Sequence, residues 1–295
     1  MEQYILSAAC ACQTGRLRTN NEDNFYFDGR CLEVENKGLR HPVTMRTELR
    51  REVCLAVFDG IGGEDFGEIA AFTAAQGMRL ELAKLNDYII PERRFLQEMC
   101  SQLNALVRRR REELHTGRMG TTMAALLFSQ DYVYVCNLGD SRAYRLRNGE
   151  FLQLSQDHVQ RAPEEKKGPL TRFLGMESAS GAEPYIAKGQ IERGDWYLIC
   201  SDGLTDALTN LEIDHILLHS PDPEQCVRSL TEQARQNGAK DNVTVIAVYV
   251  SARGGMSPEN DTGRRRKHWK QSLFLIIRAN RSACPEKSCC SDAAS

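Results

Sequence analysis

Residues 55–70 read LAVFDGIGGEDFGEIA, and here an apolar run leads directly into an aspartate and a series of glycines. The run extends back to Val53 and is continuous rather than alternating, which predicts a short strand buried on both faces. Asp59 therefore stands where a core strand emerges, with Gly60 directly after it. A charged residue at the end of a buried strand requires an explanation.

Two simpler interpretations of this stretch are open. The glycines after Asp59 could form a tight turn, with Glu64 or Asp65 capping the helix that follows. The order of strand, Gly-x-Gly and helix also matches part of a dinucleotide-binding fingerprint. That match is poor, because the third glycine is misplaced and acidic residues at the start of the helix would repel a pyrophosphate.

The composition is that of a globular protein with enough apolar residues for a packed core. The chain has 295 residues, 41% of them hydrophobic, and a formal net charge of −2, which gives no indication of nucleic-acid binding. The charge is unevenly distributed. Residues 252–295 hold nine Lys or Arg against four Asp or Glu, which leaves −7 on residues 1–251.

The N-terminus and the cysteines predict a cytoplasmic protein. Glu2 and the absence of basic residues before the first apolar ones are unlike a secretory signal. No apolar run approaches the roughly 18 residues of a membrane-spanning helix. The 11 cysteines are an odd number and lie mostly in apolar, strand-like segments, which is typical of small core residues in a reducing compartment.

The order of helical and strand-like segments predicts an α+β fold. Apolar residues at spacings of three and four predict helices over 64–85, 91–115 and 211–237. The strand-like segments are TTMAALLF (121–128), DYVYVCNL (131–138), RAYRLRNG (142–149), EFLQLS (150–155), DWYLICS (195–201) and NVTVIAVYV (242–250). Short turns, such as Ser129-Gln130 and Arg147-Asn148-Gly149, predict antiparallel hairpins. We therefore expect helices packed against antiparallel sheets.

Residues 252–295 differ in kind from the rest of the chain. A polar linker is followed by a basic block at 264–270 and a short apolar run at 273–277. The predicted domain boundary therefore lies near 251. The tail is either a disordered extension, a segment that docks on the body, or a weak contact with an anionic membrane surface.

Carboxylates recur at the ends of the apolar strands. They are Asp59, Asp140 and Asp202 after strands, Asp241 before the last strand, and Glu22-Asp23 before the apolar FYF. Any single one could be a turn residue. Several of them gathered near a core would lose hydration and repel one another, so a cation must collect them. Oxygen ligands without a matching His or Cys spacing favour Mg²⁺ or Mn²⁺ over zinc.

The order and spacing of these segments match a known family. The matching segments are GRLRTNNEDNF, AVFDGIGG, MGTTMAALL, NLGDSRAYRL, SQDHV, LTRFLG, ICSDGLTDAL and AKDNVTVIAV. They follow the motif order of the metal-dependent serine/threonine protein phosphatases of type 2C. Residues 1–250 closely resemble the bacterial branch of that family.

The resemblance implies a four-layer α-β-β-α sandwich, in which two antiparallel sheets pack face to face between helices. The ligands that it implies for two Mn²⁺ or Mg²⁺ ions are the bridging Asp59, the carbonyl of Gly60, Glu22, Asp202 and Asp241. Asp140 matches a third-metal position, Asp23 would orient metal-bound water, and Arg18 would bind the phosphate.

The activity that the resemblance implies is hydrolysis of phosphoserine and phosphothreonine in proteins by water activated between two metal ions. The substrates would be phosphoproteins, and the enzyme would oppose a serine/threonine kinase in the cytoplasm. The family motifs do not explain the tail, whose basic and apolar residues alone suggest a peripheral contact at the inner membrane face. No cysteine lies in a phosphate-cradling loop followed by an arginine, so the sequence offers no thiol nucleophile.

Three departures from the family pattern and two alternative functions remain, and the tail at 252–295 is one of the departures. Ile61 stands where many eukaryotic members have a histidine, and only the short charged segment 160–170 separates SQDHV from LTRFLG. One alternative is a phosphatase dedicated to an anti-sigma-factor antagonist. The other is a non-catalytic scaffold that binds phosphoproteins, which would require a lost metal ligand, and none is lost.

Overall fold

The computed structural model describes residues 3–61, 66–85, 91–160, 168–178 and 180–252. The strands are β1 (Tyr4–Gln13), β2 (Asp23–Phe27), β3 (Val43–Glu48), β4 (Val53–Ile61), β5 (Gly120–Thr121), β6 (Met123–Ser129), β7 (Tyr132–Leu138), β8 (Arg142–Arg147), β9 (Glu150–Gln153), β10 (Tyr185–Gln190), β11 (Trp196–Cys200) and β12 (Val243–Ala252). The helices are α1 (Gly67–Leu85), α2 (Glu92–Glu113), α3 (Asp202–Ala207), α4 (Asn210–His219) and α5 (Pro223–Gln236), and a 3-10 turn covers Ser180–Ala182.

The strands form two antiparallel sheets of six. One has the order β3-β1-β12-β11-β8-β9 and is called the β12 sheet below. The other has the order β10-β7-β6-β4-β2, with β5 paired to the end of β4, and is called the β4 sheet. β1 and β12 pair along their whole lengths, from Tyr4 opposite Ala252 to Gln13 opposite Val243.

Three layers of buried apolar side chains hold the molecule together. The layer between the sheets includes Leu6, Phe25, Val57, Leu126 and Ile246. On the outer face of the β4 sheet, α1 and α2 pack through residues that include Met78 and Leu103. On the outer face of the β12 sheet, α4 and α5 pack through residues that include Leu217 and Leu230. The four-layer α-β-β-α sandwich is therefore confirmed.

Local sequence explains how the helices begin and how closely they pack. A Cβ added at Gly77 of α1 would lie 2.7 Å from Leu103 and Leu106 of α2, so a glycine is needed where these helices approach. Thr209 and Glu212 form a capping box at the start of α4. Asp222 accepts a hydrogen bond from the backbone of residue 225 and caps α5.

The predicted hairpins are confirmed. β6 and β7 are antiparallel neighbours across the turn at 129–131, and β8 and β9 are neighbours across the turn at 148–149. Asn148 and Gly149 both have positive φ, 51° and 81°. Asn and Gly tolerate this conformation better than other residues, and it matches the twist of a two-residue hairpin.

Some predicted elements differ from the structure. The single helical stretch over 211–237 is wrong, because α4 ends at His219 and α5 begins at Pro223. Pro221 and Pro223 explain the break, since a residue before proline is disfavoured in a helix and proline fits the first helical turn. β4 also continues past Asp59 to Ile61, because β5 pairs with its last residues.

Other predictions fall partly or wholly outside the described residues. α1 begins at Gly67, and the predicted capping residues 64 and 65 are not among those described. The tail at 253–295 also lies outside them, so the domain boundary near 251 stays a prediction. Among the described residues, no helix is long and apolar enough to cross a membrane.

The layer between the sheets should carry much of the stability. Leu126 is fully buried there, so L126A should lower the free energy of unfolding by about 2–5 kcal/mol through lost burial and a cavity. Denaturant unfolding measures this change. L211A is the control, because Leu211 is 78% exposed and should change stability by less than about 0.5 kcal/mol. Equal effects of the two substitutions would contradict this account of the core.

Candidate functional site

The strand directions bring the predicted acidic residues to one end of the sandwich. In the β4 sheet, β4 and β7 are both antiparallel to β6, so they end at the same edge, and β2 begins there. In the β12 sheet, β11 ends where β8 and β12 begin. The connection 14–22, which leads from β1 to β2, crosses between the sheets at this end.

A pocket of about 390 Å³ opens at this end, between the two sheets. Its lining includes every predicted metal ligand, which are Glu22, Asp59, Gly60, Asp140, Asp202 and Asp241, together with Arg18. Thr122 and the segment 168–170 complete much of the wall. Ile61 also lines the pocket and presents an apolar side chain there. The predicted site residues are therefore brought together, with the exception of Asp23.

Asp23 lies behind the pocket rather than on its wall. It is the first residue of β2, it is opposite Asp59 in the pairing with β4, and it is 2% exposed. The Ser201 hydroxyl donates a hydrogen bond to its Oδ2 at 2.7 Å. Burial raises the pKa of Asp23 to about 7, aided by the charges of Asp202 and Asp241 and opposed by the hydrogen bonds from Thr244 and Ser201.

Gly60 is required by a close approach of three backbone segments. A Cβ at this position would collide with the carbonyl oxygens of Gly67 and Glu22. The Gly60 N–H donates to the Glu22 carbonyl at 3.1 Å. The end of β4, the start of α1 and the residue before β2 therefore pack against one another without side chains between them. This contact places Glu22 beside Asp59.

A second close approach fixes the other side of the pocket. A Cβ at Gly203 would collide with the Asn242 carbonyl, and one at Gly15 would collide with the Asp241 carbonyl. The segment after Asp202 and the segment after β1 thus both pack against the backbone at 241–242. Glycine is therefore needed at positions 15 and 203, where a side chain would prevent this close approach of the backbone segments.

The carboxylates in the pocket oppose one another electrostatically. Burial raises the pKa of Asp59 well above its ordinary value, and the charges of Asp202, Asp23 and Asp140 raise it further. Asp59 also shares a side-chain hydrogen bond with Asp202. Burial likewise raises the pKa of Glu22, although the nearby Arg18 lowers it. Positive charge in this pocket would therefore be strongly favoured.

Arg18 lies at the rim and contacts two of the predicted ligands. Its Nη2 donates to Asp241 Oδ2 at 2.8 Å, and its Nη1 lies 3.6 Å from Glu22 Oε2. The arginine side chain is 41% exposed. The hydrogen bond that Arg18 donates to Asp241 is the main reason that the pKa of Arg18 is raised. The guanidinium thus stands beside the carboxylates with part of its surface open to the pocket and solvent.

Sequence reasoning did not single out several residues that orient the acidic ones. Asn242 is 2% exposed, its Oδ1 accepts a hydrogen bond from the Glu22 backbone at 2.8 Å, and its Nδ2 donates to the Asn20 carbonyl at 3.0 Å. Ser201 accepts from the Thr244 backbone at 2.9 Å. Ser201 and Asn242 stand directly beside Asp202 and Asp241 in the sequence, which could have drawn attention to them. Ordinary turn residues would give the same pattern.

The donor set fits a hard cation, although the oxygens surround the pocket rather than meet at one point. Within the part of the chain that the structure describes, no three His, Cys, Asp or Glu side chains form a compact metal-ligand cluster. The acidic side chains instead line a volume of about 390 Å³, together with the backbone of Gly60. Carboxylate and carbonyl oxygens are the ligands that Mg²⁺ and Mn²⁺ prefer.

A larger groove of about 790 Å³ continues from the pocket. It shares Asp140, Asp202 and Asp241 with the pocket. Its far wall includes Arg142 and Asp157, which form a forked ion pair with distances of 2.7–3.1 Å. Of the short charged segment 160–170 between SQDHV and LTRFLG, only residues 160 and 168–170 are among those described.

The sequence and fold are similar to those of known phosphatases. The serine/threonine protein phosphatase PstP of Mycobacterium tuberculosis is 30% identical over 261 residues, which cover 83% of this chain and 45% of the relative. The serine/threonine phosphatase stp of Listeria innocua is 28% identical over 251 residues, or 79% of this chain and 92% of the relative. The chain therefore spans less than half the length of the mycobacterial relative.

Solved structures and a family model give the same result. A crystal structure of the PstP catalytic domain in complex with two manganese ions has a TM-score of 0.65 and 28% identity, and the match covers 84% of this chain and 99% of that one. The model for Protein phosphatase 2C matches residues 43–244. This range includes Asp59, Asp140, Asp202 and Asp241, which line the pocket. The chain belongs to the protein phosphatase 2C family.

Proposed function

We propose that this chain is a metal-dependent phosphatase that hydrolyses phosphoserine and phosphothreonine in proteins. The observation that carries the proposal is a pocket in which carboxylates from both sheets lie beside Arg18. Membership of the family and the manganese-bound PstP structure support the same activity. A metal-binding pocket with an adjoining guanidinium suits a phosphate dianion, because both offset its negative charge.

The metal ions would be Mn²⁺ or Mg²⁺, two in number and with a place for a third. The residues proposed to hold the two are Glu22, Asp59, the carbonyl of Gly60, Asp202 and Asp241. Asp140 also lines the pocket and would serve the third together with Asp202. When bound, the ions would supply Lewis acidity to the phosphoryl oxygens and lower the pKa of a nearby water.

The chain's own residues would bind and orient the reactants. Arg18 is placed to bind phosphoryl oxygens through the part of its guanidinium not taken up by Asp241. Asp23 would orient water from behind Asp59, because the Ser201 hydroxyl fixes the position of its carboxylate. Asn242 holds the backbone of Glu22 and thereby sets where that carboxylate enters the pocket.

A covalent thiol mechanism does not fit the residues near the pocket. Cys12 and Cys200 are buried close to the site, and burial raises the pKa of each thiol to about 12. Such thiols are not thiolates near neutral pH and are therefore poor nucleophiles. Hydrolysis by water without a phosphoenzyme is the mechanism that these residues favour.

The partners that we propose are phosphorylated proteins and a serine/threonine kinase that modifies them. The groove of about 790 Å³ next to the pocket could receive the peptide on one side of the phosphorylated residue. A scaffold without catalysis is less well supported, because no predicted ligand is missing from the pocket. Nothing in the described residues favours the narrower role on an anti-sigma-factor antagonist.

The proposed location is the cytoplasm, with the tail as a weak contact to the inner face of the membrane. The argument rests on sequence alone, since 253–295 lie outside the described residues. The block 264–270 is basic, and an aromatic and aliphatic run follows it at 273–277. Such a combination suits the surface of an anionic bilayer.

The first prediction from the proposed function concerns the metal ligands. D59N should lower Mn²⁺-dependent hydrolysis of a phosphothreonine peptide by at least ~100-fold, because loss of a direct ligand should exceed the effect of losing an outer partner. Chelation of the wild-type protein should abolish turnover, and added Mn²⁺ should restore it. D28N is the control, since Asp28 is exposed, lies at the far end of β2 and has a φ of 51° that Asn tolerates. Wild-type turnover by D59N would contradict the proposed site.

The second prediction concerns Arg18. R18A should lower kcat/KM for the phosphopeptide by roughly 10–100-fold, the equivalent of a lost hydrogen bond to a charged group. Mn²⁺ affinity should not weaken, because Arg18 competes for the Asp241 carboxylate rather than binding the metal. R18K keeps the charge without the fork and should recover only part of the loss. Unchanged kinetics in R18A would assign the arginine to a surface role.

The third prediction concerns the tail. The full-length protein should co-sediment with anionic vesicles, and the fraction bound should fall as salt is raised, because basic residues near an anionic surface are screened by ions. A chain that ends at residue 252 should stay in the supernatant while it still hydrolyses the phosphopeptide. Equal sedimentation of the two proteins would contradict a membrane contact through the tail.

A further inference from the structure

The pairing of β4 is altered at Asp59. β4 pairs with β5 and with β6 in one continuous register, which places Asp59 opposite Thr122. The Thr122 N–H donates to the Asp59 carbonyl at 2.8 Å, as in an ordinary antiparallel pair. The Asp59 N–H instead donates to the Thr122 Oγ1 at 3.1 Å. A side-chain hydroxyl thus replaces a backbone carbonyl beside the proposed bridging ligand.

The same hydroxyl reaches the other sheet. Thr122 Oγ1 lies 2.6 Å from Ser141 Oγ, and both residues are buried. Ser141 directly follows Asp140, where the chain enters β8 of the β12 sheet. One oxygen atom is therefore hydrogen-bonded to the backbone of Asp59 in one sheet and to the neighbour of Asp140 in the other.

The methyl group of Thr122 has a separate contact. A Cβ added at Gly139 would lie 2.6 Å from the Thr122 Cγ2, so this methyl packs directly on the backbone before Asp140. Gly139 has a φ of 94°, which glycine adopts without strain. Serine would keep the hydroxyl contacts and lose this packing, whereas valine would keep the shape and lose the hydrogen bonds.

We propose that the Thr122 hydroxyl is a positioning group for the metal centre. Its oxygen atom is hydrogen-bonded both to the backbone of Asp59 near the end of β4 and to Ser141 just before β8. It therefore fixes how far apart Asp59 and Asp140 lie in the pocket. The inference rests on the proposed metal centre and extends it to a residue that binds no metal. A ligand whose backbone is held in position in this way needs less rearrangement to bind a cation, as with other outer partners of metal ligands.

The test compares T122V, which removes the hydroxyl group, with T122S, which removes the methyl group. Calorimetric titration with Mn²⁺ measures the affinity, and thermal unfolding without Mn²⁺ measures stability. T122V should weaken Mn²⁺ binding by roughly 10–100-fold, the range found for outer-shell partners. T122S should stay within about 3-fold of the wild type, because it keeps both hydrogen bonds; this corresponds to under ~0.7 kcal/mol.

T231V is the matched control for losing a buried threonine hydroxyl. Thr231 lies in α5, is 2% exposed and donates to the Val227 carbonyl at 2.9 Å, away from the pocket. It should lower stability without changing Mn²⁺ affinity. A wild-type affinity in T122V, an equal loss in T122S, or an equal loss in T231V would each overturn the inference.

A second variant covers the case in which T122V does not fold. S141A removes the other end of the hydroxyl pair and should also weaken Mn²⁺ binding, so a wild-type affinity in S141A would overturn the inference. Wild-type turnover of the phosphopeptide is measured separately. A wild type that binds Mn²⁺ without turnover contradicts the proposed activity alone, whereas one that binds no Mn²⁺ overturns the metal centre and this inference together.

Discussion

Mutual repulsion of acidic side chains at one end of the sandwich is the constraint on which the rest of the molecule depends. Burial and neighbouring charges raise the pKa of Asp59 well above its ordinary value and raise that of Asp23 to about 7. Such a group of carboxylates would separate if the backbone allowed it. The apolar layer between the two sheets opposes that separation, because both sheets bury their inner faces in it.

Backbone contacts at the strand ends bring the acidic residues into a defined arrangement. Gly60 packs between residues 22 and 67, and Gly203 packs against residue 242, where larger residues would collide. These contacts lie at the strand ends, so the backbone of the acidic residues is held in place by other backbone segments. The hydrogen bonds of Asn242 and Ser201 then set the direction of individual groups. The site's own backbone and side-chain contacts thus position these acidic residues.

Much of the fold and of the site could be predicted because apolar runs and acidic strand ends are local signals. β1 was not predicted as a strand, since its alanines and cysteines carry little strand preference and only its pairing with β12 places it in the core. The division between α4 and α5 was also missed, although two prolines marked it. Thr122 could not be found from sequence, because its role depends on which residue lies opposite it in another strand.

The pairing of β1 with β12 has a consequence for the synthesis of the protein. The first strand lies between β3 and β12, and its pairing with β12 becomes possible only when residues 243–252 have been made. Contacts between such distant parts of a chain form late and slow folding. Asp241 directly precedes that last strand and is therefore also made after most of the two sheets. A nascent chain that ends before residue 241 would therefore carry no complete pocket.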